Sequence, residues 1–180
     1  MEFESVIKSR ESSRDFSDKK VEDEKINFVL ECARLAPSWT NKQCWQFIVV
    51  KDKKIIKDLS KTSIINRWLK NVPVIIVACG DPKQSGFRND IDYFIVDVSI
   101  ALEHLVLAAT DKGLGTCWIG GFNQKKVKDI LEIPENIRVV ALTPLGYTAE
   151  KKRFAGKLGK IVIQSKKRKN LDKMIHINKW

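Results

Sequence analysis

Histidine and cysteine are scarce in this 180-residue chain, and their scarcity limits the chemistry it can perform alone. There are two histidines, His104 and His176, and four cysteines, Cys32, Cys44, Cys79 and Cys117. The cysteines lie far apart in apolar surroundings without a CxxC pair, which argues against zinc and for reduced thiols in a cytoplasmic protein. HExxH, GxSxG and paired catalytic histidines are all missing, so no nucleophile or metallohydrolase constellation is in view. His104 falls inside an apolar helical pattern and reads as a hydrogen-bonded core residue rather than a base. An enzyme this poor in acid–base groups has to borrow its chemistry from a cofactor. No uninterrupted apolar run reaches the length of a bilayer: the longest, near Ile95 to Ala109, contains Asp97, Glu103 and His104. The acidic start Met1-Glu2-Phe3-Glu4 does not resemble a secretory signal, so a soluble chain without a membrane partner is expected.

Positive charge, by contrast, is plentiful but local. Of the net +11, the segment from Lys151 to Lys173 carries ten Lys or Arg against the single acid Asp172. The remainder is close to neutral, as in an ordinary soluble enzyme. The run Lys166-Lys167-Arg168-Lys169 is either a solvated face, a set of phosphate ligands, or a nonspecific nucleic-acid contact. The length fits one domain over 1–180, able to bury roughly 70% of its unfolded surface, with 151–180 as a basic tail.

Periodicity supplies the elements. Ile26, Val29, Leu30 and Ala33 mark a helix from about Glu22 to Leu35, ended by Pro37, after a first helical turn around Phe3, Val6 and Ile7. Strands are expected at 46–51, 73–80, 116–119 and 138–147, with a further strand-like run at 160–164. Short helical patterns occupy 53–61, 64–71, 124–131 and the stretch from Asn170, and a long one runs from 91 to 112. That long helix is apolar on most faces and needs a core or a subunit interface to cover it. Asp97, Glu103 and Asp111 then read as interface or polar-face groups. The mixture argues an α+β or α/β domain.

Three segments could carry function. Arg10-Glu11-Ser12-Ser13-Arg14 places two guanidiniums and two hydroxyls in one turn, suited to phosphate oxygens, although a solvated turn has the same composition. Ala36-Pro37-Ser38-Trp39-Thr40-Asn41-Lys42-Gln43-Cys44-Trp45-Gln46-Phe47 packs indoles, amides and hydroxyls into a connection, which suits a flat ring or a partner surface. Gly113-Leu114-Gly115-Thr116-Cys117-Trp118-Ile119-Gly120-Gly121-Phe122 contains GxG. However, the third glycine of a dinucleotide turn is replaced by Trp118, and the motif runs from helix to strand. What remains there is a strand ending in two glycines, either a tight turn or a place where a ligand approaches backbone.

Taken in this order, the segments resemble the FMN-dependent nitroreductase family. Arg10 to Arg14, with Phe16 after it, resembles the family's Arg-x-Ser-x-Arg/Lys motif, and Ala36 to Trp45 its APSxxNxQPW loop. Gly113 to Phe122 is similar to GLGTCWIG, Pro144-Leu145-Gly146-Tyr147 to PxGY, and Lys166 to Leu171 with Trp180 to the closing basic motif and terminal KW. The resemblance implies a three-layer α/β/α sandwich with a mostly antiparallel sheet, an obligate homodimer, and one FMN per subunit. Arg10, Ser12, Arg14, Lys166 and Arg168 would hold the phosphate and nearby oxygens. Pro37, Ser38 and Trp39 would come from the partner to cover the flavin, with Asn41 and Gln43 shaping that loop and Asn66 at the pyrimidine edge. Trp118, Ile119, Gly120 and Gly121 would lie along the isoalloxazine, and no side chain is implied as a catalytic acid. The implied reaction is ping-pong: NADH or NADPH gives hydride to flavin N5, and a nitro, quinone or related small-molecule acceptor takes it. The chain departs from the pattern at Glu11, at Cys44 in place of proline, and in the longer stretch from Lys151 to Ser165. Rivals are a same-fold FMN enzyme for dehalogenation or dehydrogenation, a flavin-storing protein, and a basic nucleic-acid-binding module. The last is disfavoured because the tryptophan-rich loops lie outside the basic tail.

Overall fold

Seven consecutive buried residues, Val74–Gly80, form the strand around which the chain is built. A computed structural model describes residues 1–149 and 168–180, so the run expected at 160–164 and Lys166 lie outside the described residues. The chain order is α1 (Phe3–Ser9), α2 (Asp23–Arg34), β1 (Trp45–Val50), α3 (Lys53–Leu59), β2 (Val74–Gly80), β3 (Phe87–Arg88), β4 (Ile91–Asp92), α4 (Tyr93–Asp111), β5 (Gly115–Thr116), α5 (Gln124–Leu131) and β6 (Arg138–Gly146). The principal sheet has the order β1-β2-β6-β5, and every pairing in it is antiparallel. The expected α+β class is therefore correct.

Alternation along β2 divides the core. Val74, Ile76 and Ala78 join one apolar cluster with Ile26, Val29 and Ala33 of α2 and Val98, Leu102 and Leu105 of α4. Ile75, Val77 and Cys79 join the other, with Ile56 and Leu59 of α3 and Val127 of α5. A strand with both faces covered reads as an unbroken apolar run, as this one does. Each such Val, Ile or Leu contributes about 1.5–3 kcal/mol by burial. By length and hydropathy alone the 19-residue α4 is apolar enough to cross a bilayer, but here its Phe94, Val98, Ala101, Leu102 and Leu105 are core.

Local chemistry accounts for the departures from the expected boundaries. α4 begins at Tyr93 rather than 91 because Asn89 and Asp90 adopt φ 51° and 61°, closing the small hairpin of β3 and β4. The helical pattern at 64–71 is realised only as a 3-10 turn over Arg67–Asn71. The strand expected at 116–119 is interrupted. Its register, Gly115↔Gly146 and Thr116↔Leu145, resumes at the bridge Ile119↔Leu142. Between them, by the same register, Pro144 falls opposite Cys117 and has no N–H to donate to its carbonyl. The Cys117 N–H donates to the Thr143 hydroxyl at 3.3 Å.

Candidate functional site

Helix α1 ends at Arg10, whose N–H makes a last helical bond to the Val6 carbonyl at 3.0 Å. The chain then straightens and lies along the sheet edge. Ser12 bridges Thr116 in parallel, and the Ser13 N–H donates to the Thr116 carbonyl at 2.7 Å. Farther on, the Ser17 N–H donates to the Tyr147 carbonyl. Arg10-to-Arg14 is thus a structured strip rather than a solvated turn. The two glycines of Gly113-Leu114-Gly115 now have separate, local duties. Gly113 takes φ 70° just beyond α4, a left-handed conformation that suits glycine. A Cβ on Gly115 would stand 2.7 Å from the Ser13 hydroxyl, so its absence lets the strip dock.

This docking brings the first and third motifs together. Burial pushes the Cys117 thiol up, while the Arg14 charge, a hydrogen bond from the Ser12 side chain and the Arg10 charge pull it back. The charges of Arg10 and Arg14 thus act on Cys117 from the docked strip. Arg14 Nη1 also donates weakly to the Ser12 carbonyl at 3.4 Å. Burial raises the Glu103 carboxyl, and the nearby charge of Arg10 opposes it. Beyond the buried Cys117, Trp118 is 41% exposed, Ile119 is buried, and Gly120 and Gly121 are exposed. The Asn66 amide donates to the Gly121 carbonyl at 3.0 Å and to the Ser63 hydroxyl at 3.3 Å, fixing that turn.

The second motif is held by a residue read differently from sequence. Asp97 is no polar-face or interface group: it is 2% exposed, inside α4, and serves as the acceptor for the loop. Its Oδ1 accepts the Trp39 N–H at 2.8 Å, and its Oδ2 accepts the Ser85 hydroxyl at 2.7 Å and the Cys44 thiol at 3.5 Å. Burial first, and Asp97 second, push the Cys44 thiol up to about 11, so it remains a donor. Thr40, Asn41 and Gln43 all have positive φ, a crowded conformation for residues with side chains. The Gln43 N–H to the Ser38 hydroxyl at 2.9 Å, and Gln43 Nε2 to the Asn41 side-chain oxygen at 3.1 Å, brace it. The Trp39 indole packs on Tyr93 with centroids 4.0 Å apart. Pro37 is exposed at the loop entrance.

The two groups do not meet within one chain. Trp45, which follows the loop, pairs with Gly80 at the β1 edge, whereas Thr116 sits on β5 at the opposite edge, opposite Leu145. Three strand spacings separate those edges, about 14 Å, and β2 adds up to about 20 Å along its length. Of the residues expected at the site, Arg10, Ser12, Arg14, Asn66 and Trp118 to Gly121 make one group, a candidate half-site, and Pro37, Ser38, Trp39, Asn41 and Gln43 make a second. Arg168 is exposed after the undescribed stretch that contains Lys166.

The first half-site suits a flat anionic cofactor such as FMN. Among the described residues, neither Arg10 nor Arg14 is held in an ion pair. A Cβ on Gly120 or Gly121 would meet nothing within 4 Å, and neither glycine has positive φ. The fold does not require glycine at either place. Bare backbone facing open space, just beyond the edge strand on which the Arg10–Arg14 strip docks, can take a ring edge, and the two guanidiniums suit a phosphate.

Known proteins place the chain in a family. The model of the Nitroreductase family matches residues 7–65 and 60–147. A protein of Archaeoglobus fulgidus named for NADH dehydrogenase/NAD(P)H nitroreductase activity is 37% identical over 179 residues, 97% of each chain. The crystal structure of a nitroreductase family protein from Clostridium novyi NT is 41% identical and superposes with a TM-score of 0.81, over 83% of this chain and 87% of that one. An FMN-dependent nitroreductase from Clostridium difficile R20291 is 30% identical with a TM-score of 0.78, over 97% of this chain and 98% of that one. With its family model matched over residues 7–65 and 60–147, and the fold shared along most of its length, this oxidoreductase chain belongs to the nitroreductase family.

Proposed function

We propose that this chain is an NAD(P)H-dependent FMN oxidoreductase that acts as a cytoplasmic homodimer of α/β/α three-layer subunits, with two sites shared between them. The observation that carries the reading is the division of its site residues between opposite edges of the sheet, which a second copy can unite. Exposed apolar residues support a partner surface: Ile95 and Val96 on α4, and Phe3 and Ile7 on α1. The basic tail after Glu150 completes the domain or wraps the partner.

FMN, when bound, supplies hydride chemistry at N5, accepting from NADH or NADPH and giving to a nitro, quinone or related acceptor in ping-pong order. The chain's own residues bind, orient and enclose. Arg10 and Arg14, with Ser12 and with Lys166 and Arg168 from the tail, hold the phosphate by charge-assisted hydrogen bonds of about 1.5–3 kcal/mol each. Gly120 and Gly121 give the ring backbone donors, Trp118 and Ile119 line it, and Asn66 fixes the Gly121 turn. Pro37, Ser38 and Trp39 of the partner subunit cover the open face and exclude water. The guanidiniums of Arg10 and Arg14 would stabilise negative charge on a bound flavin and attract nucleotide phosphates.

Anaerobic stopped-flow tests this. Protein reconstituted with FMN should lose flavin absorbance on mixing with NADH or NADPH and regain it on mixing with a quinone or nitroaromatic. Protein that retains no flavin after gel filtration would overturn the proposal. A loaded protein that neither nucleotide reduces would leave a flavin carrier rather than an enzyme.

A further inference from the structure

We propose that Asp97 is the positioning residue of the loop half-site, fixing the Trp39 indole in one orientation and thereby limiting the size of acceptor admitted over the flavin. The inference rests on the FMN reading for its consequence, but its structural part stands without the cofactor. Three segments far apart in sequence converge on this one carboxyl: Trp39 and Cys44 from the loop, Ser85 from the approach to β3, and Asp97 itself from α4. An acceptor this deeply buried is not readily replaced by water, so its removal loosens the bonds that seat Trp39, Ser85 and the buried Cys44.

The indole has little freedom once the Trp39 N–H is held. Tyr93 covers it at 4.0 Å, and Gly86 stands against its other atoms. A Cβ on Gly86 would lie 2.5 Å from the indole, a distance that the ring could relieve only by leaving its seat. Gly86 and Tyr93 are themselves joined, the Tyr93 N–H donating to the Gly86 carbonyl at 2.8 Å. Asp97 thus holds the backbone of Trp39 while Gly86 and Tyr93 seat its ring. A side chain fixed in this way restricts bulky acceptors more than small ones, because a loose indole would swing aside for either.

The test uses two variants and two readouts. Asp97→Leu removes both acceptors at similar volume, and Gly86→Ala displaces the ring while leaving the Asp97 bonds in place; Asp97→Ala, which also lacks an acceptor, replaces the Leu variant if that fails to fold. The first readout is near-UV circular dichroism of the flavin-free protein, with Trp39→Phe as the reference that isolates the Trp39–Tyr93 signal. The expected result is loss of that signal in both variants. The second readout is steady-state kinetics of the FMN-loaded protein with menadione and benzoquinone. The ratio of their KM values should shift on the order of tenfold toward menadione, the scale of a small misplacement. Retention of the signal in the folded Asp97 variant overturns the assignment, as does its loss with an unchanged KM ratio. If no flavin binds at all, the function proposed above fails, and the dichroism still decides the role of Asp97.

Discussion

Asp97 Oδ1 accepts the backbone N–H of Trp39 at 2.8 Å, across 58 residues of chain. This contact joins the core helix to the loop that carries Pro37, Ser38, Trp39, Asn41 and Gln43. It makes that loop a fixture of the fold, although three of its residues have positive φ. The other half-site is fixed by a different device, the docking of Ser12 and Ser13 on Thr116. Two rigid halves at opposite edges are what a shared site in a symmetric dimer needs.

Glycines at the first half-site separate folding from binding. At Gly121 a Cβ meets nothing within 4 Å, so Gly121→Ala should leave stability within about 0.5 kcal/mol. FMN affinity should fall on the order of tenfold, since the methyl group occupies the space left to the ring. Urea unfolding and fluorescence titration of FMN measure the two effects. Unchanged flavin affinity would remove Gly121 from the site.

Gly115→Ala should behave in the opposite way. Its Cβ would meet Ser13 Oγ and Thr148 Cγ2 at 2.7 Å, so the strip that bears Arg10 and Arg14 has to shift. Overpacking of this kind costs about 1–3 kcal/mol. Both the unfolding midpoint and the FMN affinity are expected to drop together. A stable variant with full flavin affinity would show that the docked strip does not hold the phosphate.

Asn66→Ala releases the Gly121 carbonyl without touching the strip. Asn66 is half-buried, so a loss of about 0.5–1.5 kcal/mol of stability, one hydrogen bond, is expected. Flavin affinity should weaken severalfold with the Gly121 turn loosened. Crystallography of the variant checks the cause directly: the turn should move and the Arg10–Arg14 strip should not.

The buried thiols give a pH dependence. Desolvation pushes Cys44 and Cys79 up to about 11 from the usual 9.0. The native state therefore holds these protons more tightly than the unfolded chain does. Their contribution is complete below about pH 9 and is lost as pH rises toward 11, at about 1.4 kcal/mol per pH unit for each thiol. Urea unfolding at pH 8 and pH 10.5 should show that loss, and Cys79→Ala should make it shallower. An identical slope in the variant would assign the effect to other groups.

Regular patterns were legible in the sequence because one face or one run decided them. Ile26, Val29 and Ala33 announce α2, and the unbroken apolar Val74–Cys79 announces a strand covered on both sides. The GxG was correctly refused as a dinucleotide turn, and its two glycines proved to serve a left-handed turn and a close approach. Asp97 was not legible. An acid inside an apolar helix has the same spacing whether it faces water, a partner or three distant donors. Nothing around Gly86 signalled an indole, because that indole belongs to a residue 47 places earlier. The gap between Thr116 and Ile119 depended on Pro144, which faces them only once β6 has folded back.

Mixing two inactive variants tests the shared site most directly. One copy carries Arg10→Ala and Arg14→Ala; the other carries Ser38→Ala and Trp39→Ala. Each homodimer should bind FMN poorly. In a mixed dimer one site combines both defects, while the other combines an intact Arg10–Arg14 strip with an intact Trp39 loop. Unfolding and refolding the two together should therefore restore tight FMN binding, up to one site per mixed dimer, with NAD(P)H-dependent turnover. Confirmed mixed dimers that bind no more flavin than the parents would contradict a site built from both subunits.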